Sequence, residues 1–297
     1  MWLGAGLCCL LWGSAFPSIK TGYKLFEIEE GATAGIILFA GIRFFLAGVL
    51  SVIVFSLIER KPLLPEKGSA KGICVLSLFQ TVLQYVFFYL GLAFTTGARA
   101  SVISSVSVFF ALLLSAFVFR YEKLKFNKIL GCVIGFVGVI VISLDAFKGS
   151  AGFKGEAFIL LSSLAYAFSS NFMKKYSRDY SPAMLSGWQF ILGGAVMSAL
   201  AFALGGRINA PSAKGVLLLL YLGFLSAAAY SLWSILLKYN EVSSVAVCSF
   251  MTPVFGYFLS AIFIKDEKSF SLLSLLSLVL VVIGMITVNK NMLNKKN

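Results

Sequence analysis

Histidine is absent from this chain, acidic residues number only 12 among 297, and prolines only 6. No Asp or Glu falls at the middle of any long apolar run, so the usual relay groups for moving protons through a membrane are missing. A strongly proton-coupled mechanism is therefore not supported. Charged residues make up 12% of the chain, about half the ~25% of a soluble domain, which excludes a water-facing globular exterior. No Walker motif, HExxH, GxSxG or cluster with metal-ligand spacing is present. That excludes ATP-driven work by this chain and the familiar intramembrane hydrolases, and no cofactor or metal is expected. Cys8, Cys9, Cys74, Cys132 and Cys248 lie within apolar runs and read as small core residues.

What the chain has in abundance is apolar length. Hydrophobic residues reach 59% and mean hydropathy is +0.94. Ten runs stand out, at about 2–23, 32–57, 70–94, 98–119, 126–144, 153–173, 182–204, 213–237, 243–264 and 271–288. Each approaches the roughly 20 residues a helix needs to cross a ~30 Å hydrocarbon core. Connectors are short, as in Glu59 to Lys71 with Pro62 and Pro65, which leaves little room for a soluble domain. Ser181 before Pro182, and Ser212 after Pro211, are helix-start signals. The first run lacks a charged leading segment and continues past Pro17, so it reads as a span rather than a cleaved signal.

The stretch LLSAFVFRYEK, residues 113–123, returns 145 positions later as FLSAIFIKDEK, residues 258–268. Extending the match pairs Tyr85 with Tyr230, Ser104 with Ser249 and Ser107 with Thr252. The chain is a duplication, with residues 1–147 as the first copy (helices 1–5) and 152–290 as the second (helices 6–10). Five spans per copy place the copies antiparallel in the membrane. The fold expected is an all-α membrane protein of ten transmembrane helices, built as two inverted five-helix repeats with a central site near the midplane.

Lys and Arg set the orientation. With the amino terminus inside, the cytoplasmic connectors hold Arg60, Lys61, Lys67 and Lys71, then Arg120, Lys123, Lys125 and Lys128, then Lys174, Lys175 and Arg178. The opposite side holds clearly fewer, which places both termini in the cytoplasm. The net charge of +13 is explained by this bias and by anionic lipid headgroups, so nucleic acid need not be invoked.

Polar groups at membrane depth are costly unless they face protein or a wet cavity. Gln80 and Gln84 lie a turn apart on helix 3, with Tyr85 and Tyr89 on an adjoining face; helix 8 offers Ser226, Tyr230, Trp233 and Ser234. These stripes line a substrate cavity or hold the bundle together by interhelical hydrogen bonds. Helix 4 carries Ser104, Ser105 and Ser107, and helix 9 carries Ser249, Thr252 and Pro253. Small hydroxyls equally suit close helix packing. Pro253 should kink helix 9 and free a carbonyl, and Val108 at the matching place makes that kink asymmetric. Trp12, Ser14 and Phe16 in helix 1, and Asn171 in helix 6, are further cavity candidates; Lys20 and Lys174 would snorkel to opposite interfaces or charge a cavity mouth. Arg43, in GIRFFLAG, is the one charge well inside a span, and Gln189 in GWQFILGG occupies its matching place. Arg43 is a charge or gating candidate alongside Pro253, or an anchor to backbone carbonyls or a headgroup. Gly131, Gly135 and Gly138 form a seam suited to helix packing.

WGSAFPSIK in helix 1, GIRFFLAG in helix 2, the run YLGLAFTTGARASVISSVSVFFALLLSAFVFRYEK and GCVIGFVGVIVI after it, each echoed in the second half, resemble the EamA-type branch of the drug/metabolite transporter superfamily. The resemblance spans essentially the whole chain. It implies an inverted 5+5 fold, a cavity lined mainly by helices 1, 3, 4, 6, 8 and 9, and export or exchange of small metabolites such as amino acids. Many members have proline where this chain has Val108, which sets its gating details apart.

The expectation is a secondary transporter, an exporter, working by alternating access in the cytoplasmic membrane, as a monomer or weak homodimer. Its substrate would be a small organic metabolite, an amino acid or related amphipathic compound, because aromatic residues dominate the candidate cavity and a sugar phosphate would call for several cationic side chains. The alternative is a non-transporting multi-span receptor or scaffold, which would not need a polar lining in both repeats.

Overall fold

The computed structural model describes residues 1–29, 31–92, 94, 100, 103–142, 153–209, 212–264 and 272–293. Every described element is helical, which agrees with the composition: an apolar solvent cannot satisfy backbone N–H and C=O groups, and a helix satisfies them within the segment. In chain order the helices are α1 (Trp2–Leu25), α2 (Thr33–Glu59), α3 (Ala70–Leu92), α4 (Ser107–Val118), α5 (Phe126–Ile142), α6 (Phe153–Tyr176), α7 (Pro182–Ala203) and α8 (Ala213–Tyr239). Then come α9, assembled from Val242–Ala246, Val247–Phe250 and Met251–Ile264, and α10 (Leu272–Leu293). Of these, α2, α3, α7 and α8 are long and apolar enough to cross a membrane on their own, and shorter apolar stretches occur in α1, α4, α5, α9 and α10.

Local signals set several boundaries. Ser181 caps α7, its hydroxyl accepting from the Met184 amide at 3.4 Å with Pro182 in the first turn. Ser212 caps α8 in the same way through Gly215 at 3.2 Å. Arg60 ends α2 in the left-handed conformation, and Pro62, two residues on, cannot continue a helix.

The distribution of side chains is the reverse of a soluble protein's. Leu3, Leu57, Phe126 and Phe202 are 74% exposed or more, while Ser162, Ser163, Ser169, Ser170 and Asn171 on α6 are 5% exposed or less. Lipid is as apolar as a protein core, so burying leucine gains little, and polar groups turn inward where they find partners.

Glycines let the backbones approach where the two halves cross. A Cβ added at Gly48 would stand 2.6 Å from the Gly187 carbonyl oxygen, and one at Gly41 would stand 3.0 Å from that of Gly194, so α2 and α7 meet nearly backbone to backbone. Matching positions exchange across this contact, since Gly41 corresponds to Gly187 and Gly48 to Gly194. The glycine seam of α5 meets α10 likewise: a Cβ at Gly131 would lie 2.6 Å from the Gly284 oxygen, and the Ser277 hydroxyl donates to the Gly138 oxygen at 2.7 Å.

Three helices depart from regular α geometry. Residues Ser77–Leu83 of α3 and Leu114–Val118 of α4 adopt the wider π form, and Val247–Phe250 of α9 the tighter 3-10 form. The tightened turn stands where Pro253, lacking an N–H and crowding the Ser249 carbonyl, interrupts the ladder. An irregular turn stands on the α4 side as well, although Val108 takes the place of the proline. The stretch leading into α4 also makes i→i+3 bonds, from Val106 to Ile103 and from Val108 to Ser105, at 3.0 and 3.2 Å. No proline is needed there because serine hydroxyls compete for the carbonyls, Ser104 donating to Ala100 at 2.6 Å.

Candidate functional site

A cavity of about 420 Å³ opens between these irregular stretches, within the size range of small-molecule sites. Trp12, Ala15, Ile19 and Tyr23 of α1 form one wall, and Gln84, Tyr85, Phe88, Tyr89 and Leu92 of α3 another. Ser104, Ser105 and Ser107 enter from α4 and the residues before it, Ser162, Ser163 and Tyr166 from α6, Leu225, Ser226 and Tyr230 from α8, and Ser249, Thr252 and Pro253 from α9. Arg43 is the single contribution of α2.

The polar residues of α3 divide by their depth along the helix, which passes through π turns before Gln84. Bonding to i+5 inserts an extra residue into the turn and rotates the part of the helix beyond it, and the α form resumes at Gln84. Gln84 borders the cavity, while Gln80, expected on the same stripe and one turn nearer the start of α3, is 2% exposed and outside the lining.

Four aromatic rings join the two halves. The Tyr85 and Tyr230 hydroxyls, 145 positions apart, lie 2.6 Å from each other. Phe44 packs on Tyr85 at 4.3 Å, Phe190 packs on Tyr230 at 4.9 Å, and Phe44 stacks on Phe190 at 5.2 Å and 9°. Phe44 matches Phe190 in sequence as Tyr85 matches Tyr230, so the quartet is built from corresponding residues. Rings of this kind carry little rotamer freedom and hold a fixed surface.

Of the residues singled out from sequence, Trp12, Arg43, Gln84, Tyr85, Tyr89, Ser104, Ser105, Tyr230, Thr252 and Pro253 border the cavity together. Four others lie elsewhere. Ser14 bonds the Leu11 carbonyl and the Tyr221 hydroxyl, both at 2.8 Å. Asn171 is fully buried, its amide donating to Ala111 at 3.3 Å and Ala167 at 3.0 Å, so it ties α6 to α4. Trp233 is 1% exposed and packs behind Trp12 at 4.9 Å, and Gln80 is buried as described. The side chains of Phe16 and Lys20 lie outside the described residues, as do residues 265–268 of the repeated stretch. Lys174 does not reach the cavity: its ammonium donates to the carbonyls of Leu237 and Asn240 and so caps α8.

Sequence reasoning missed Tyr166, Tyr23, Ser162 and Ser163. Tyr166 was findable, since it corresponds to Trp12 in the alignment of WGSAFPSIK with YAFSSNFMK. Tyr23 falls near a helix end, where an aromatic reads as an interfacial anchor. Ser162 donates to the Gln84 carbonyl at 2.7 Å, a pairing between helices that no local pattern reveals.

The cavity reaches Tyr23 and Leu92, toward the end of the bundle where α1 and α3 finish. The other end is shut. Glu122, just past α4, accepts from Ser115 at 2.6 Å and from the Ser243 amide at 3.1 Å, and it also takes the Ser243 hydroxyl and the Lys128 ammonium. Lys128 pairs in turn with Glu241 at 2.9 Å. Glu122 thus caps the start of α9 from the other half of the chain. Burial pushes its carboxyl up, but Lys128, Ser115 and Ser243 together outweigh that and hold it below the usual carboxylate range. Beneath this clasp Cys9, Val108, Ala111, Trp233, Val245 and Cys248 pack with 1% exposure or less.

Arg43 and Gln189, matched in sequence, sit differently. Gln189 is fully buried and its oxygen accepts from Thr81 at 2.6 Å. The Arg43 guanidinium lies 4.3 Å from the Phe44 ring centre and 5.9 Å from that of Tyr85, and no carboxylate borders the cavity among the described residues. Such a site can bind and orient a small polar molecule, and its described lining shows no nucleophile–base pair.

The family model described as the EamA-like transporter family matches residues 2–144 and 153–290. A protein described as an uncharacterized transporter, from Archaeoglobus fulgidus, is 28% identical over 85% of this chain and 86% of its own length. The uncharacterized transporter YdfC of Bacillus subtilis is 25% identical over 92% of this chain and 86% of its own. A solved crystal structure superposes with a TM-score of 0.78 over 99% of this chain and 98% of that one, at 19% identity, which shows the fold alone.

Proposed function

The chain belongs to the EamA-like transporter family and is a membrane transporter rather than an enzyme, and we propose that it exports a small organic metabolite, an amino acid or related amphipathic compound, by alternating access. The observation that carries this reading is a cavity bordered by both halves of the chain and closed at one end by contacts between them. Tyr85 and Tyr230 meet across it, and Glu122 of one half holds Ser243 of the other below it. Two bundles joined in this way can rock about a fixed central site.

In this reading ten helices span the cytoplasmic membrane as two inverted repeats, residues 1–147 and 152–290, with both termini in the cytoplasm. The exchange of matching positions at the α2–α7 crossing supports the inversion. The clasp then lies on the cytoplasmic side, and the cavity reaches toward the outside. A single chain supplies every wall described, so a monomer suffices for transport. Aromatic rings, hydroxyls and one cation suit an amphipathic solute better than a phosphate ester, which would draw on several cations.

Single cysteines placed along α3 and α8, labelled by a membrane-impermeant reagent from each side, test the mechanism. Positions 84 and 230 should label from both sides in turn, with protection on one side when the clasp is closed. Labelling from one side only under all conditions excludes alternating access.

A further inference from the structure

Four residues bordering the cavity each hold a buried polar atom without a hydrogen-bond partner: Arg43 Nε, Trp12 Nε1, Gln84 Oε1 and Thr252 Oγ1. Other buried polar atoms away from the cavity also lack partners, Gln80 Oε1 and Gln189 Nε2 among them, so what marks this space is that its unpartnered atoms converge on one cavity and include a cation. Their chemistry is specific. Two are donors, one is an acceptor, and the Thr252 hydroxyl can serve as either.

Arg43 sharpens the demand. It is 4% exposed, which removes it from any headgroup. A cation taken out of water normally requires a counter-anion, and the described lining contains none. The Phe44 ring offsets only part of that cost. At the matching place Gln189 has its oxygen filled by Thr81 while its amide nitrogen is unpartnered, so the fold builds this position once around a neutral side chain and once around a cation.

We propose that Arg43, with Trp12, forms a carboxylate subsite in the cavity, and that the Gln84 oxygen receives an ammonium on the same ligand, so that the site takes a zwitterionic α-amino acid. A guanidinium recognises a carboxylate by paired donors, and one such group matches one carboxylate charge. The tyrosine and phenylalanine rings around it accept the side chain. This inference rests on the cavity being the substrate site and names the chemistry it selects.

The test uses the full-length protein purified in detergent micelles and a panel of L-amino acids, each matched with its C-terminal amide. The readout is the rise in melting temperature with ligand concentration. At least one amino acid should stabilise the protein, and its amide, which keeps the ammonium and the side chain, should bind at least tenfold more weakly. Arg43→Gln should lose the same factor for the acid while leaving amide binding unchanged. If that variant fails to fold, the acid-against-amide comparison in the parent protein decides. Equal binding of acid and amide overturns the subsite, as does an equal loss of both in Arg43→Gln or a panel with no stabilising member. Two-sided labelling of cysteines at positions 84 and 230 stays independent of these outcomes, so failure of the subsite and failure of the carrier reading are distinguishable.

Discussion

Among the described residues two regions bury charge, and they treat it in opposite ways. At the clasp, Glu122 meets Lys128, Ser115 and both the amide and hydroxyl of Ser243, and Lys128 meets a second carboxylate on Glu241. Beside the cavity, Arg43 has an aromatic face and an unpartnered Nε, with no carboxylate on the described lining. A charge whose partners all come from the protein is a fastener. A charge with an open partner position is, in the proposal above, a receptor. The first joins the end of α4 to the start of α9, and the second waits within the space those helices enclose.

The largest effect should come from unbalancing the clasp. Lys128→Met leaves Glu122 buried without its cation and should cost about 3–5 kcal/mol in reversible unfolding, most of it recovered by adding Glu122→Gln. A loss below ~1 kcal/mol would show that water reaches the clasp and would erase the contrast with Arg43. Next in size is Thr81→Val, which leaves the Gln189 oxygen buried without its donor and should destabilise by about 1–3 kcal/mol. Ligand affinity should not change, since Gln189 is outside the lining; a loss of affinity would mean that positions 43 and 189 are not separate in function.

Smaller again is Tyr230→Phe, which removes one hydroxyl of the Tyr85 pair at a cost of about 1 kcal/mol. Flux into proteoliposomes should fall, as it should for Gln84→Ala, with insertion and folding intact. Flux equal to the parent in both variants would remove the cavity from the transport route. The smallest effect is that of pH. Because the folded carboxyl of Glu122 lies below its ordinary value, the stability it contributes is full above that ordinary value. It is lost as pH falls through the depressed folded value. Melting temperature should therefore drop on acidification below about pH 4.5, and Glu122→Gln should flatten that part of the curve.

Much of the architecture was legible because it depends on local composition and on self-similarity. Ser181 and Ser212 announced the starts of α7 and α8, and constant offsets paired Tyr85 with Tyr230. The site was legible in part. Trp12, Gln84, Tyr85 and Tyr230 reach the cavity, but Gln80, one turn from Gln84 and nearer the start of α3, does not. Asn171 and Trp233 were as costly to bury as the cavity residues, yet they pack against α4 and Trp12 instead. Polarity at membrane depth says that a group must find a partner and leaves open whether that partner is protein or ligand.

By itself the sequence determined the solvent, the helical backbone and the duplication, since apolar length, unsatisfiable peptide groups and repeated segments are properties of the chain read in order. Only the tertiary structure decided how the two copies differ. Arg43 and Gln189 occupy equivalent places, but whether such a place is filled by a neighbour or left facing a cavity depends on Thr81, on helix rotation and on glycine contacts more than a hundred residues away in sequence. Those interactions arise only when helices pack, and so no local pattern encodes them.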